Sequence, residues 1–114
     1  MADAPSLDSI PASFAGMKQL FVPSRAANVD KTIQFNFTGR EAGTWHVVVR
    51  NGTFDYAEGP ADSPSTTVTA DSDDWLRILR RELDPTMAFM TGKLKIAGDV
   101  GVMLQFQGWF DLPR

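Results

Sequence analysis

The sequence contains no cysteine and only one histidine. Without cysteine there is no disulfide, no thiol nucleophile and no thiolate metal site, a composition that fits a reducing compartment. The single histidine, His46, would need a nucleophile or carboxylate partner for catalysis, and no such motif surrounds it. There is also no G-x-S-x-G, no His-x-x-x-His and no glycine-rich phosphate loop. Asp71, Asp73 and Asp74 could suggest a metal, but their place beside Trp75 suits helix capping better. No catalytic residue, no metal ligand and no cofactor is expected, and the chain reads as a non-enzyme.

An excess of positive charge is missing as well. Eleven lysines and arginines face fourteen acids, for a net charge of −3. The one local cluster is Arg77, Arg80 and Arg81, so nucleic acid is not an expected partner. These arginines could touch an anionic membrane in passing, but complementing a helix carboxyl end is the favoured reading. No stretch approaches the roughly 18 consecutive apolar residues of a membrane span. The opening MADAPSLDSIP has neither the basic start nor the apolar run of a secretory signal, and the closing DLPR is not a peroxisomal address. Cytoplasm is the expected compartment.

What is present is enough apolar material for a core. Of 114 residues 43% are hydrophobic, which points to one domain over residues 1–114. Leu7, Ile10, Phe14, Met17 and Phe21 recur at helical steps, with Pro11 in the first turn and Pro23 as the stop. From Thr32 the period becomes two. Ile33, Phe35 and Phe37 alternate with polar residues, and Trp45, Val47 and Val49 begin a second strand, with His46 on its wet side. Asn51-Gly52 is a hairpin pair leading to a third strand through Phe54 and Tyr56. Residues 66–70 make a threonine-rich fourth strand.

The helical period then returns. Asp71 or Ser72 caps a helix whose buried stripe runs through Trp75, Ile78 and Leu79 to Glu82 and Leu83. Asp84-Pro85 starts a short helix with Met87, Ala88 and Met90 on its apolar side, and Gly92 stops it. Residues 93–97 form a fifth strand with Leu94 and Ile96 inward and Lys93 and Lys95 outward. Asp99 caps a last helix bearing Val100, Met103, Leu104 and Phe106. The expected class is α+β: a mainly antiparallel sheet of about five strands with helices covering one face. Strand order is not legible.

Three segments in this order resemble the sterol carrier protein type 2 family. WHVVVRNG (residues 45–52) is similar to its strand and turn. TVTADSDDWLRIL (67–79) is similar to its threonine-rich strand entering a helix. Residues 84–99, with Ala88-Phe89-Met90, Gly92-Lys93-Leu94-Lys95-Ile96 and Gly98-Asp99, resemble its signature. The resemblance covers most of residues 33–106. The chain departs from the family in carrying Arg81-Glu82 where members often have glycine, and in ending soon after Phe110.

The resemblance implies a hydrophobic cavity between sheet and helices, holding a fatty acid, acyl-CoA, sterol-like or isoprenoid lipid without chemistry. Its expected lining is Phe35, Trp45, Trp75, Leu79, Leu83, Met87, Met90, Ile96, Met103, Phe106 and Trp109. Methionines repack around different shapes, and the aromatics add large rigid surfaces. Apolar stripes at helical spacing usually mean an ordinary core, and it is the resemblance that favours the cavity here. Lys93 and Lys95 could rim the site but read better as a solvated sheet face. Membrane contact is expected to be at most transient. The alternative reading is an interaction or homodimer module accessory to a lipid-modifying enzyme; a small hydrolase or isomerase using His46 ranks last.

Overall fold

In the first strand, β1 (Asp30–Thr38), Ile33, Phe35 and Phe37 are buried while their neighbours in sequence stay wetter. That is the period-two signature of a sheet covered on one side. The structure, a computed structural model, describes residues 7–111; residues 1–6 and 112–114, which carry the reading of the two chain ends, lie outside the described residues. The same alternation buries Val47 and Val49 in β2 (Gly43–Arg50) and Val68 and Ala70 in β4 (Thr66–Asp71). β2 turns into β3 (Thr53–Glu58) through Asn51 and Gly52, at φ 53° and 73°. Two successive positive φ values make the tight hairpin turn whose twist matches that of the strands.

The sheet is five-stranded in the order β3-β2-β1-β4-β5, with β5 spanning Leu94–Gly98. β1 pairs antiparallel with β2, β2 with β3 and β4 with β5. The central pair β1 and β4 is parallel. The expected α+β class and mainly antiparallel sheet are what the fold has; the parallel pair refines them. A parallel neighbour needs a long crossover, and the β2–β3 hairpin is part of that connection.

Among the described residues four α-helices accompany the sheet: α1 (Ile10–Leu20), α2 (Ser72–Leu79), α3 (Pro85–Met90) and α4 (Val100–Phe106). α1 buries Ile10, Phe14 and Met17, with Ser9 capping its start through the Ala12 N–H. It stops before Phe21, contrary to the periodic reading. Val22 precedes Pro23 and is extended, so the chain leaves helical geometry one residue earlier still. Phe21 instead bridges Phe110, flanked by hydrogen bonds from Val22 N–H to the Trp109 carbonyl and from Asp111 N–H to the Leu20 carbonyl, each 2.8 Å.

α2 is capped by Asp71, whose Oδ1 accepts from the Asp73 and Asp74 N–H groups at 2.9 and 3.4 Å. The sequence reading carries this helix to Leu83, but it ends at Leu79 because Arg81 adopts a left-handed φ of 62°. An arginine there costs on the order of 1 kcal/mol relative to glycine, which has no Cβ to crowd the carbonyl. Arg81→Gly is therefore expected to raise the urea midpoint, with a gain of roughly 0.5–1 kcal/mol. A midpoint that fell would place the strain elsewhere. Asp99 precedes α4 but makes no side-chain cap; its Oδ2 takes the Lys31 ammonium instead, at 3.3 Å.

Candidate functional site

One end of the sheet carries a cleft of about 360 Å³ between α3, β5 and α4. Its walls come from three short periodicities. Pro85 and Phe89 are one helical turn apart on α3, Leu94 and Ile96 share one face of β5, and Val100, Met103 and Gln107 follow one stripe along and beyond α4. Ala88, fully buried, seats α3 against the core. Asp84 and Thr86 complete the lining. Asp84 caps α3 by accepting from the Thr86 N–H at 3.1 Å, and Gln107 Nε2 donates to the Ile78 carbonyl at 3.4 Å. The cleft is thus apolar with a few convergent polar groups and no lysine or arginine in its lining, the usual make-up of a small-ligand site.

Of the residues expected to line a cavity, the structure brings Ile96 and Met103 to this cleft. Leu83 is half-buried in a shallow annex that shares Asp84, Pro85 and Gln107 with it. Phe35, Trp75, Leu79, Phe106 and Trp109 are packed in the core instead, each at most 3% exposed. Phe35 alone makes ring contacts with Phe14, Phe37, Trp75 and Phe106. Trp75 Nε1 is buried there without a hydrogen-bond partner. Trp45 is half-buried and stacks on Phe14, with ring centroids 5.0 Å apart. Met87 and Met90 stand on the outside of α3, 52% and 73% exposed.

Phe89, Pro85, Leu94 and Val100 were not among the expected lining. The signal that could have found the first two is the i, i+4 pair Pro85–Phe89, a second face of the same short helix. Lys93 and Lys95 are exposed and border a separate shallow recess with Asp71 and Asp74. His46 is half-buried, its Nδ1 donating to the Gly59 carbonyl at 2.9 Å. Among the described residues no group of three or more metal-ligating side chains converges. Nor is any described helix long and apolar enough to cross a membrane.

The fold is thus a sheet covered on one side, with an apolar cleft beside its edge strand. Residues 17–111 match the model of the SCP-2 sterol transfer family, and the chain belongs to that family. It is accordingly a domain of the lipid-binding and lipid-transfer kind. Such domains are in general not catalytic, though they occur beside enzyme domains. The hydroxysteroid dehydrogenase-like protein 2 of Xenopus tropicalis is 33% identical over 109 residues, covering 93% of this chain and 26% of that protein. The chain thus spans about a quarter of the length of that relative.

Solved structures that share the fold include the following two. The inverting sec-alkylsulfatase Pisa1 from Pseudomonas sp. superposes with a TM-score of 0.83 at 23% identity, over 90% of this chain and 16% of that one. The palmitated sterol carrier protein 2-like 2 of Aedes aegypti superposes with a TM-score of 0.68 at 22% identity, over 93% and 97% of the two chains.

Proposed function

We propose that the cleft between α3, β5 and α4 holds the apolar body of one lipid molecule and that the domain carries that lipid without altering it. The observation that supports this is the cleft itself, about 360 Å³ and walled by Pro85, Phe89, Leu94, Ile96, Val100 and Met103. That volume lies near the small end of ligand sites, which span roughly 300–1,000 Å³. It suits a single acyl chain, a sterol-like ring system or an isoprenoid tail better than a two-chain lipid. A fold of the same kind holds palmitate in the mosquito protein, which favours the acyl chain.

Each CH₂ moved from water into the cleft contributes about 0.8 kcal/mol. Moving it from a bilayer contributes little, so loading and unloading stay nearly balanced. Phe35, Trp75, Leu79, Phe106 and Trp109 would reach the ligand only if a long chain pushed past Met103 into the core. At the polar end, Asp84, Thr86 and Gln107 offer partners to a hydroxyl or amide head, while the Asp84 carboxylate opposes an anionic one. In the longer relatives, a lipid held here could be presented to the accompanying enzyme.

Phe89 is 44% exposed and lines the cleft, so a charge there need not disturb the core. Phe89→Asp is expected to weaken binding of a fluorescent single-chain lipid in solution by roughly tenfold or more, because that side chain covers lipid with apolar surface. Its melting temperature should stay near wild type. Unchanged affinity in the folded variant would remove this cleft as the binding site.

A further inference from the structure

Among the described residues the buried polar side chains Ser13, Thr66 and Ser72 each have a hydrogen bond. Ser13 Oγ donates to the Ile10 carbonyl, Thr66 Oγ1 donates to the Asp99 carbonyl, and Ser72 Oγ accepts the Glu41 N–H. Trp75 breaks the rule. Its indole Nε1 is buried without a partner, in a residue 1% exposed on α2. Native proteins seldom leave such a donor unpaired, because the bond it made to water in the unfolded chain is lost without return.

The surroundings decide what can satisfy it. Phe35, Phe37 and Phe106 pack against the indole, with ring centroids 5.0, 6.3 and 5.9 Å away. A buried water needs roughly two to four polar partners, and these rings supply none. An indole N–H donates and cannot accept, so its partner must bring an acceptor atom. No lysine, arginine or histidine is buried among the described residues. A carboxylate brought here would stand unpaired at a large cost, so the acceptor has to be neutral.

The cleft is the way in. Met103 lines it and also belongs to the core, at 8% exposure. Phe106, one turn after Met103 on α4, is the ring of that helix that meets Trp75. Gln107, from the cleft lining, holds the Ile78 carbonyl, one turn beyond Trp75 on α2. Met103 is unbranched, with three rotatable bonds, and can yield without breaking a hydrogen bond.

We propose that Trp75 is the inner anchor of the lipid site. Its Nε1–H donates to a neutral oxygen, of a ketone, ester or hydroxyl, on a lipid that enters the cleft and displaces Met103. Anchoring at Trp75 rests on the cleft being the lipid site and adds the ligand's chemical class. An oxygenated apolar lipid gains a bond there that a plain hydrocarbon chain cannot make, while the apolar cleft walls treat the two alike.

Two probes separate the anchor from the cleft: a long-chain methyl ketone and the alkane of the same length, each displacing a fluorescent single-chain lipid. Trp75→Phe is expected to weaken the ketone about threefold to tenfold more than the alkane, the worth of one neutral hydrogen bond. Comparing the two probes cancels whatever the smaller ring costs the packing. Phe89→Asp should weaken both alike. A second measurement needs no substitution at position 75. In nitrogen–proton correlation spectra of isotope-labelled wild type, the Trp75 indole signal should move further downfield with the ketone than with the alkane. Equal losses for the two probes in Trp75→Phe, or an indole signal that the ketone moves no further than the alkane does, overturn the anchor; the cleft then stands if Phe89→Asp still weakens both. Binding that ignores Phe89→Asp overturns the cleft, and the anchor with it.

Discussion

Phe35→Ala is expected to lower the stability of this domain by about 3–5 kcal/mol, the range for removing a buried aromatic ring from a packed core. Phe35 is fully buried in the central strand β1, opposite Trp45 on one side and Val68 on the other. Its ring touches Phe14 from α1, Trp75 from α2 and Phe106 from α4, so three helices lose a shared contact at once. Small domains have only about 5–15 kcal/mol in total, and each 1 kcal/mol moves the melting point of one this size by about 4–8 °C. A melting temperature lower by roughly 15–25 °C should therefore be seen by circular dichroism. A fall of only a few degrees would mean that the aromatic cluster is loosely packed and already has room for a ligand. The comparison with Phe89→Asp is informative for that reason: one residue is expected to govern stability and the other affinity.

Gly98→Ala should be nearly as damaging, and for a backbone reason. Gly98 sits at φ +89°, and a Cβ there would lie 2.5 Å from the Ser65 carbonyl oxygen. Neither atom can swing away as a side-chain tip could. The Ser65 carbonyl also accepts the Asp99 N–H at 3.1 Å, while Thr66 Oγ1 donates to the Asp99 carbonyl at 2.8 Å. These bonds tie the end of β5 to the start of β4, and α4 begins one residue later. Left-handed strain plus the clash is expected to cost on the order of 3 kcal/mol. Because Ile96 and Val100 stand on either side of this turn in the cleft wall, lipid uptake should fall together with the melting temperature. An alanine variant with wild-type melting would show that the turn has an alternative geometry, and the cleft's pinning would need another explanation.

The sequence was most informative where one period ruled a long stretch. Alternation at Ile33, Phe35 and Phe37, the Asn51-Gly52 turn and the Asp71 cap are local features, and each is where the reading put it. The parallel pairing of β1 with β4 was not legible, since nothing in either strand's period names its neighbour. The cleft was harder still. α3 has only six residues, so Pro85–Phe89, Met87–Met90 and Ala88 occupy three faces of a helix too short for a stripe to stand out. The sequence puts Met87, Ala88 and Met90 together on the apolar side; tertiary packing buries only Ala88 of the three, which lets α3 lie close. Arg81 hides the end of α2 because its own helical propensity is good; the glycine that family members often carry there was the one sign that the chain turns left-handed at this point.

The strand that floors the cleft, β5, is at the rim of the sheet and has β4 as its single partner. A wall of that kind is held from one side only. Spreading the cleft strains one hydrogen-bonded ladder, whereas parting two central strands would disturb the pairings on which the rest of the sheet depends. On the proposed reading of the cleft as the lipid site, changes of ligand size would be met within residues 84–107, leaving the β1–β2–β3 meander and the aromatic core unaltered. The frame of the sheet and the wall of the cleft are thus held by separate sets of pairings.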